Sequence, residues 1–175
     1  QIIYLVGASK QELGASELAF MLTESGEAVG VGGQVPQLPE PTKNLDRYRA
    51  LSQSIRDGLV TTAHDCSEGG LAVALAEMCI GGRMGANIDI DGTGEADVWG
   101  RLWGESLGRI VVAVSPEHND AFLAAMKGHE TTVLGRVTAE ATLVIEDGLD
   151  ESLSLDVETM VEAWKGTLDL TGGVA

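Results

Sequence analysis

One stretch constrains this chain more than any other. Val60-Thr61-Thr62-Ala63-His64-Asp65-Cys66-Ser67-Glu68-Gly69-Gly70 is followed directly by Leu71-Ala72-Val73-Ala74-Leu75-Ala76-Glu77-Met78. A β-branched segment runs into polar residues and a glycine pair, then opens into a helix with Glu77 as its one charged residue. A helix apolar on nearly every side has to be buried, and its alanines permit close packing. The segment therefore demands a sheet with a helix laid against it. It also places backbone N–H groups and polar side chains at the sheet edge where the helix begins, where the helix dipole adds partial positive charge. A small ligand is expected at that corner.

The remaining pattern alternates strands and helices. Ile2 to Val6 reads as a buried strand. Ser16 caps a short helix that runs to about Leu22, and the proline- and glycine-bearing run from Val29 to Pro41 is a loop. Leu45, Tyr48, Leu51, Ile55 and Leu59 recur at helical spacing, predicting an amphipathic helix from Leu45 to Gly58. Val60 to Ala63 is a strand, and Gly69 to Ile80 is the apolar helix, closed by Gly81-Gly82. Ala86 to Ile90 is a strand turned by Asp91-Gly92, and Asp97 to Trp103 is helical. Arg109 to Val114 is a continuous apolar strand. Ser115-Pro116-Glu117 starts a helix that continues through Ala121 to Met126. Thr131 to Val137 and Ala141 to Ile145 read as strands joined by a tight connection. Leu153 to Leu155 is an edge strand, and Asp156 caps a last helix through Trp164. The two adjacent strands near residue 140 break a strict βαβ order. The expected fold class is α+β, a mixed β-sheet with packed helices. Residues 1–170 form one domain, with 171–175 a flexible tail.

Charge limits the partners. Eleven basic residues face 27 acidic ones, for a net charge of -16. Nonspecific nucleic-acid binding needs a basic footprint, and an anionic membrane would repel such a surface. An anionic ligand needs a local basic pocket, and Arg83, Arg101, Arg109 and Arg136 are candidates to supply one. Cys66 and Cys79 make no disulfide framework and no C-x-x-C pair, so both are expected as thiols in a reducing, cytoplasmic setting. No signal peptide and no bilayer-length apolar run is present. The abrupt start at Gln1 suits a piece of a longer polypeptide.

Three segments carry candidate chemistry. In His64-Asp65-Cys66-Ser67-Glu68-Gly69-Gly70, Asp65 is a hard oxygen ligand for Mg²⁺ and Ser67 a hydroxyl donor, while Gly69 and Gly70 admit a ligand to the backbone. The same residues also have capping-box spacing, Asp65 to Glu68. In Gly104-Glu105-Ser106-Leu107-Gly108-Arg109, Glu105 and Ser106 suit a ligand amide or hydroxyl, and Arg109 a phosphate. The competing reading is a loop closed by a Glu105–Arg109 ion pair. The third segment, Gly14-Ala15-Ser16-Glu17, reads as a plain cap. There is no P-loop, HExxH or GxSxG, so a self-contained kinase, metalloprotease or hydrolase has no support. A further expectation is that Asp65 and Glu105 face one cleft.

Taken in order, "IIYLVGASKQELGASE", "TAHDCSEGGLAVALAEM" and "LWGESLGRIVVAVSPEH" resemble the last domain of the phosphoribosylformylglycinamidine synthase large-subunit family, within the aminoimidazole ribonucleotide synthetase superfamily. The resemblance runs from about Ile2 to Leu168. It implies an ATP-dependent ligase of purine biosynthesis, which uses glutamine-derived ammonia to turn formylglycinamide ribonucleotide into formylglycinamidine ribonucleotide. It also implies Mg²⁺ and ATP or ADP as cofactors of the full-length enzyme. The implied partners are a nucleotide-binding domain of the same chain, a glutaminase and small accessory subunits. The ligand residues it implies are His64, Asp65, Ser67, Gly69, Gly70, Glu105, Ser106 and Arg109, with Asp65 on the metal. Where the first-half domain of the family has Glu-Ser-Gln, this chain has Glu105-Ser106-Leu107. That suits the second half, whose site is associated with a retained structural nucleotide. No catalytic residue is expected within the chain, and the isolated domain is expected to be inactive. Selenophosphate synthetase, thiamine-phosphate kinase and the hydrogenase maturation protein share the architecture. A non-catalytic scaffold domain is the alternative from a different class.

Overall fold

The computed structural model describes residues 1–26, 33–148 and 152–166. Its strands are β1 (Ile2–Val6), β2 (Val60–Asp65), β3 (Gly85–Asp89), β4 (Ile110–Val114), β5 (Thr131–Thr138), β6 (Thr142–Glu146) and β7 (Ser152–Asp156). Its helices are α1 (Glu17–Glu24), α2 (Pro41–Arg56), α3 (Gly70–Gly82), α4 (Val98–Trp103), α5 (Asn119–Ala125) and α6 (Val157–Gly166). The strands form one mixed seven-stranded sheet in the order β2-β4-β1-β5-β3-β6-β7. Every pair is antiparallel except β3 with β6. The α+β expectation holds.

Side-chain alternation along β1 explains why it reads as a continuous apolar run. Ile3 and Leu5 point to one face, Tyr4 and Val6 to the other, and both faces are covered. On the first face, Leu71, Leu75 and Cys79 of α3 pack with Val157, Met160 and Val161 of α6 over Val111, Ile88, Leu134 and Leu143. On the second, Leu51 of α2 and Phe122 of α5 close over Tyr4, Val60, Val112 and Val114.

Four expectations need correction. The strands near residue 140 are not a hairpin, because β3 lies between them. The connection crosses the start of β3 directly over Gly85, where an added Cβ would stand 2.1 Å from the Glu140 carbonyl oxygen and 2.2 Å from that of Thr142. The glycine is what lets the chain pass. Next, α3 runs through Gly81 and Gly82 instead of stopping at them, and Arg83 ends it in the left-handed region at φ 51°. Helix α2 begins at Pro41 rather than Leu45, since proline's fixed φ suits a first helical position. Its apolar stripe is only partly used: Leu51 is buried, whereas Leu45, Tyr48 and Ile55 are exposed and Arg47 and Ser54 are buried instead. Finally, a 3₁₀ turn over Pro116–His118 precedes α5, and Ser115 makes no side-chain cap bond.

The other ends follow their local chemistry. The Ser16 hydroxyl accepts from the Ala19 N–H and caps α1. Asp156 Oδ1 accepts from the Thr159 N–H at 3.1 Å and caps α6. The predicted tail, 171–175, lies outside the described residues, as do 27–32 of the predicted loop; residues 33–40 carry no helix or strand.

Candidate functional site

The polar end of β2 and the start of β4 lie side by side. Asp65 pairs with Ile110 in the ladder, and the Cys66 N–H donates to the Arg109 carbonyl at 3.0 Å. A cleft of about 390 Å³ opens at this edge, lined by Asp65, Ser67, Glu105 and Leu107 together with Pro36 and Tyr48. Asp65 and Glu105 therefore share one cleft.

Helix α3 has no local cap. Gly69 stands at its N-cap with φ 75° and no side-chain bond, so the Asp65–Glu68 capping box does not form. The cap comes from across the fold instead. Glu105 Oε1 accepts from the Gly69 N–H at 2.9 Å and from the Glu17 N–H, at the start of α1, also at 2.9 Å. One carboxylate oxygen thus serves two helix N-termini, where a negative charge is favoured. Among the described residues nothing donates to Oε2, so that oxygen is open to a ligand N–H, an O–H or a hard cation.

The Glu105–Arg109 ion pair of the competing loop reading is also not formed. Arg109 is 1% exposed. Its Nε donates to the Ser106 carbonyl at 3.1 Å, Nη1 to Ser9 Oγ at 2.8 Å, and Nη2 to the Gly104 carbonyl. Burial pulls the guanidinium below its ordinary pKa, opposed by Cys66, Glu12 and Glu105. Its donors are engaged by protein oxygens, so the fork is not offered to a phosphate. The four arginines do not gather into a basic pocket either. Arg83 pairs with Glu158, Arg101 with Asp91 and Asp147, and Arg136 lies in β5 opposite Ile2 and Asn87.

Three other residues expected here do not line the cleft. His64 stays beside Asp65, its Nδ1 2.8 Å from the Asp65 carbonyl oxygen and 3.9 Å from Asp65 Oδ1, but it does not line the cleft. His64 lines a separate groove of about 400 Å³ under α3, and its Nε2 lies 3.1 Å from Glu77 Oε2. Ser106 is 1% exposed, and its Oγ accepts from the Lys10 N–H at 3.0 Å, inside the protein. Gly70 is buried, with φ +65° and the Gly104 and Leu102 carbonyls pressed against it.

Asp65 is the exposed acid of the cleft. A hydrogen bond from the Ser67 hydroxyl, then one from its own backbone, hold its carboxyl below the ordinary aspartate value; slight burial opposes this and His64 adds to it. A lowered native pKa contributes stability above the unfolded value, and that contribution is lost as pH falls through the native one. With the side chain 73% exposed, the contribution is small. The Ser67→Ala variant is expected to raise the Asp65 pKa toward the ordinary range with little loss of stability at neutral pH. Carboxyl-carbon NMR titration checks it, and an unmoved Asp65 curve counts against the Ser67 bond. Burial pushes the neighbouring Cys66 thiol up to about 11, so it is no thiolate nucleophile at neutral pH.

Among the described residues no group of three or more His, Cys, Asp or Glu side chains converges as a metal cage. Asp65 and Glu105 are nevertheless hard oxygen donors at one cleft. Mg²⁺ is commonly held by one or two carboxylates, with phosphate and water completing its shell, so the donor set fits that ion.

The residues of the cleft that the sequence did not disclose are Pro36 and Tyr48. Tyr48 sits on the apolar stripe of α2 and read as core; its position opposite Gly108 makes it cleft wall instead.

Residues 1–148 match the family described as AIR synthase related protein, C-terminal domain. The fold resembles that of phosphoribosylformylglycinamidine synthase II from Thermotoga maritima, with 21% identity and TM-score 0.69, over 91% of this chain and 25% of that one. The T. maritima PurL complexed with ATP aligns with 20% identity and TM-score 0.66, again over 91% of this chain and 25% of that one. A hydrogenase maturation protein, HypE, in complex with ATP aligns at 14% identity and TM-score 0.59, over 89% of this chain and 50% of that one. The chain spans about a quarter of the length of the synthase structures it matches.

Proposed function

This chain belongs to the AIR synthase related family, as its C-terminal domain, and on that premise we propose that it is the closing domain of a phosphoribosylformylglycinamidine synthase. The whole enzyme would be a cytoplasmic ATP-dependent C–N ligase of purine biosynthesis, fed with ammonia by a glutaminase. The observation that supports this reading is the carboxylate pair at one cleft. Glu105 is anchored on the starts of α1 and α3, and Asp65 is held ionised by Ser67. In this reading Asp65 receives Mg²⁺ and Glu105 Oε2 a donor group or the same ion. Mg²⁺ would supply charge neutralisation for nucleotide phosphate, which the cleft, without a free arginine fork, does not.

Leu107 is 45% exposed and lines the cleft. Its apolar side chain makes no hydrogen bond to a substrate amide, which favours a structural nucleotide over a reacting substrate in this copy of the site. The isolated chain has no catalytic residue of its own in this reading and is expected to form no product from ATP, glutamine or ammonia and formylglycinamide ribonucleotide.

Native mass spectrometry of the full-length protein tests the proposal. The expected result is a co-purified adenine nucleotide with Mg²⁺ that is lost in the Asp65→Ala variant. A nucleotide-free protein that still makes product would remove the structural-nucleotide reading. A full-length protein without synthase activity in the presence of its glutaminase would favour the hydrogenase-maturation relatives or a scaffold role.

A further inference from the structure

The geometry points to Arg109 as a positioning residue for Glu105. The carbonyls on either side of Glu105 are those of Gly104 and Ser106, and Arg109 donates to both, through Nη2 and Nε. Its Nη1 reaches Ser9 Oγ at 2.8 Å and the Arg101 carbonyl at 3.5 Å. One planar group thereby joins the segment after β1 to the segment after α4 while fixing the Gly104–Glu105 and Ser106–Leu107 peptide planes, which bracket the Glu105–Ser106 pair. Two further bonds complete the frame: the Glu105 N–H donates to the Glu12 carbonyl at 3.2 Å, and Lys10 N–H to Ser106 Oγ at 3.0 Å.

A second arginine holds the far end of the same loop. Arg47 of α2 donates to the Gly108 carbonyl at 3.1 Å and to Glu130 at 2.7 Å. Gly108 lies so close to α2 that an added Cβ would be 2.8 Å from Asn44 Oδ1. The loop from Gly104 to Gly108 is thus gripped from the core side by Arg109 and from the α2 side by Arg47. What it presents between them is the Glu105 carboxylate on the Gly69 and Glu17 amides. Arg109 is among the residues lining the cleft, but each of its three guanidinium nitrogens bonds a protein oxygen, so its part is to shape the ligand corner. A side chain so buried, and bonded at both of these carbonyls, sets the position of the intervening residue more than its own chemistry at the cleft.

The functional meaning of this clamp rests on the proposed reading of the cleft, but its existence can be measured apart from it. Hydrogen exchange of the full-length protein, resolved by fragmentation mass spectrometry, reads the Gly69 and Glu17 amides, neither of which Arg109 contacts. Arg109→Lys keeps the charge and loses the fork; it is expected to speed exchange at both amides by roughly tenfold or more. Glu105→Ala is expected to do the same, and the double variant to go no faster than either single one. Amides of β5 and β6 are expected to stay as in the parent. Ser9→Ala, which removes one acceptor, serves if Arg109→Lys does not fold, with a smaller rise at the same two places.

Unchanged exchange at Gly69 and Glu17 overturns the proposal. So do additive effects in the double variant, or a rise spread over the whole sheet. Titration of the parent protein with Mg²⁺ and ADP reads the cleft separately: failure to bind removes the ligand reading and leaves the exchange result standing.

Discussion

Replacing Gly70 by alanine is expected to cost about 3 kcal/mol of stability, from a left-handed backbone penalty of about 1–2 kcal/mol and a packing clash of similar size. Gly70 has φ +65°, and a Cβ there would stand 2.5 Å from the Gly104 carbonyl oxygen and 2.7 Å from that of Leu102. Both obstacles are backbone, which cannot swing aside as a side chain can. The same Gly104 carbonyl accepts from Arg109. Relief of the clash therefore has to push the Gly104–Glu105 peptide away from α3 and break the long-range cap at Gly69. Urea unfolding checks the first part, as a lower midpoint at unchanged slope. The second part appears as loss of Gly69 amide protection beyond the loss at residues of equal stability. A Gly70→Ala protein as stable as its parent would mean that α3 and the loop after α4 are not in this contact.

The second large effect is expected at Phe122. Its side chain is fully buried and its ring centroid lies 5.1 Å from that of Tyr4. It is the chief apolar contribution of α5 to the smaller of the two cores, where Leu51 and Met126 are its companions. Phe122→Ala is expected to cost about 3–5 kcal/mol, since the short helix that carries it cannot follow the shrinking side chain far into the sheet. The Tyr4 hydroxyl donates to Asn119 Oδ1 at 2.5 Å, so α5 would remain tethered while losing its packing. Thermal unfolding checks the magnitude. A loss below about 1 kcal/mol would show that the site collapses without leaving a cavity.

Much of this fold was legible because its apolar periodicities are strong. β1 and β4 are covered on both faces and read as unbroken apolar runs; α3 reads as buried because it is. The boundaries that slipped did so for local reasons. Gly81 and Gly82 do not stop α3 because the left-handed turn falls on Arg83. The β5–β6 connection resembles a hairpin because its length is that of one. Only the placement of β3 between the two strands, a matter of long-range pairing, shows otherwise. The site followed the same division. Strand alternation puts His64 on the groove under α3 and Asp65 on the cleft, with His64 Nδ1 still 3.9 Å from Asp65 Oδ1, and that division needs only the period of two once the span of β2 is fixed. The anchoring of Glu105 on amides at positions 17 and 69 has no sequence signature, because it depends on where three loops meet. Likewise, nothing in the order of residues says that an arginine next to a glutamate will bond carbonyls instead of that glutamate.

The position of β1 has a consequence for how this protein is made. Among the described strands β1 is made first, and its neighbours are β4 and β5, so neither partner exists until residues 110–114 and 131–138 have been translated. At bacterial or eukaryotic elongation rates that delay is on the order of ten seconds. During that time an apolar strand with two open edges waits inside a nascent chain, and guarding it falls to whatever binds such chains at the tunnel exit.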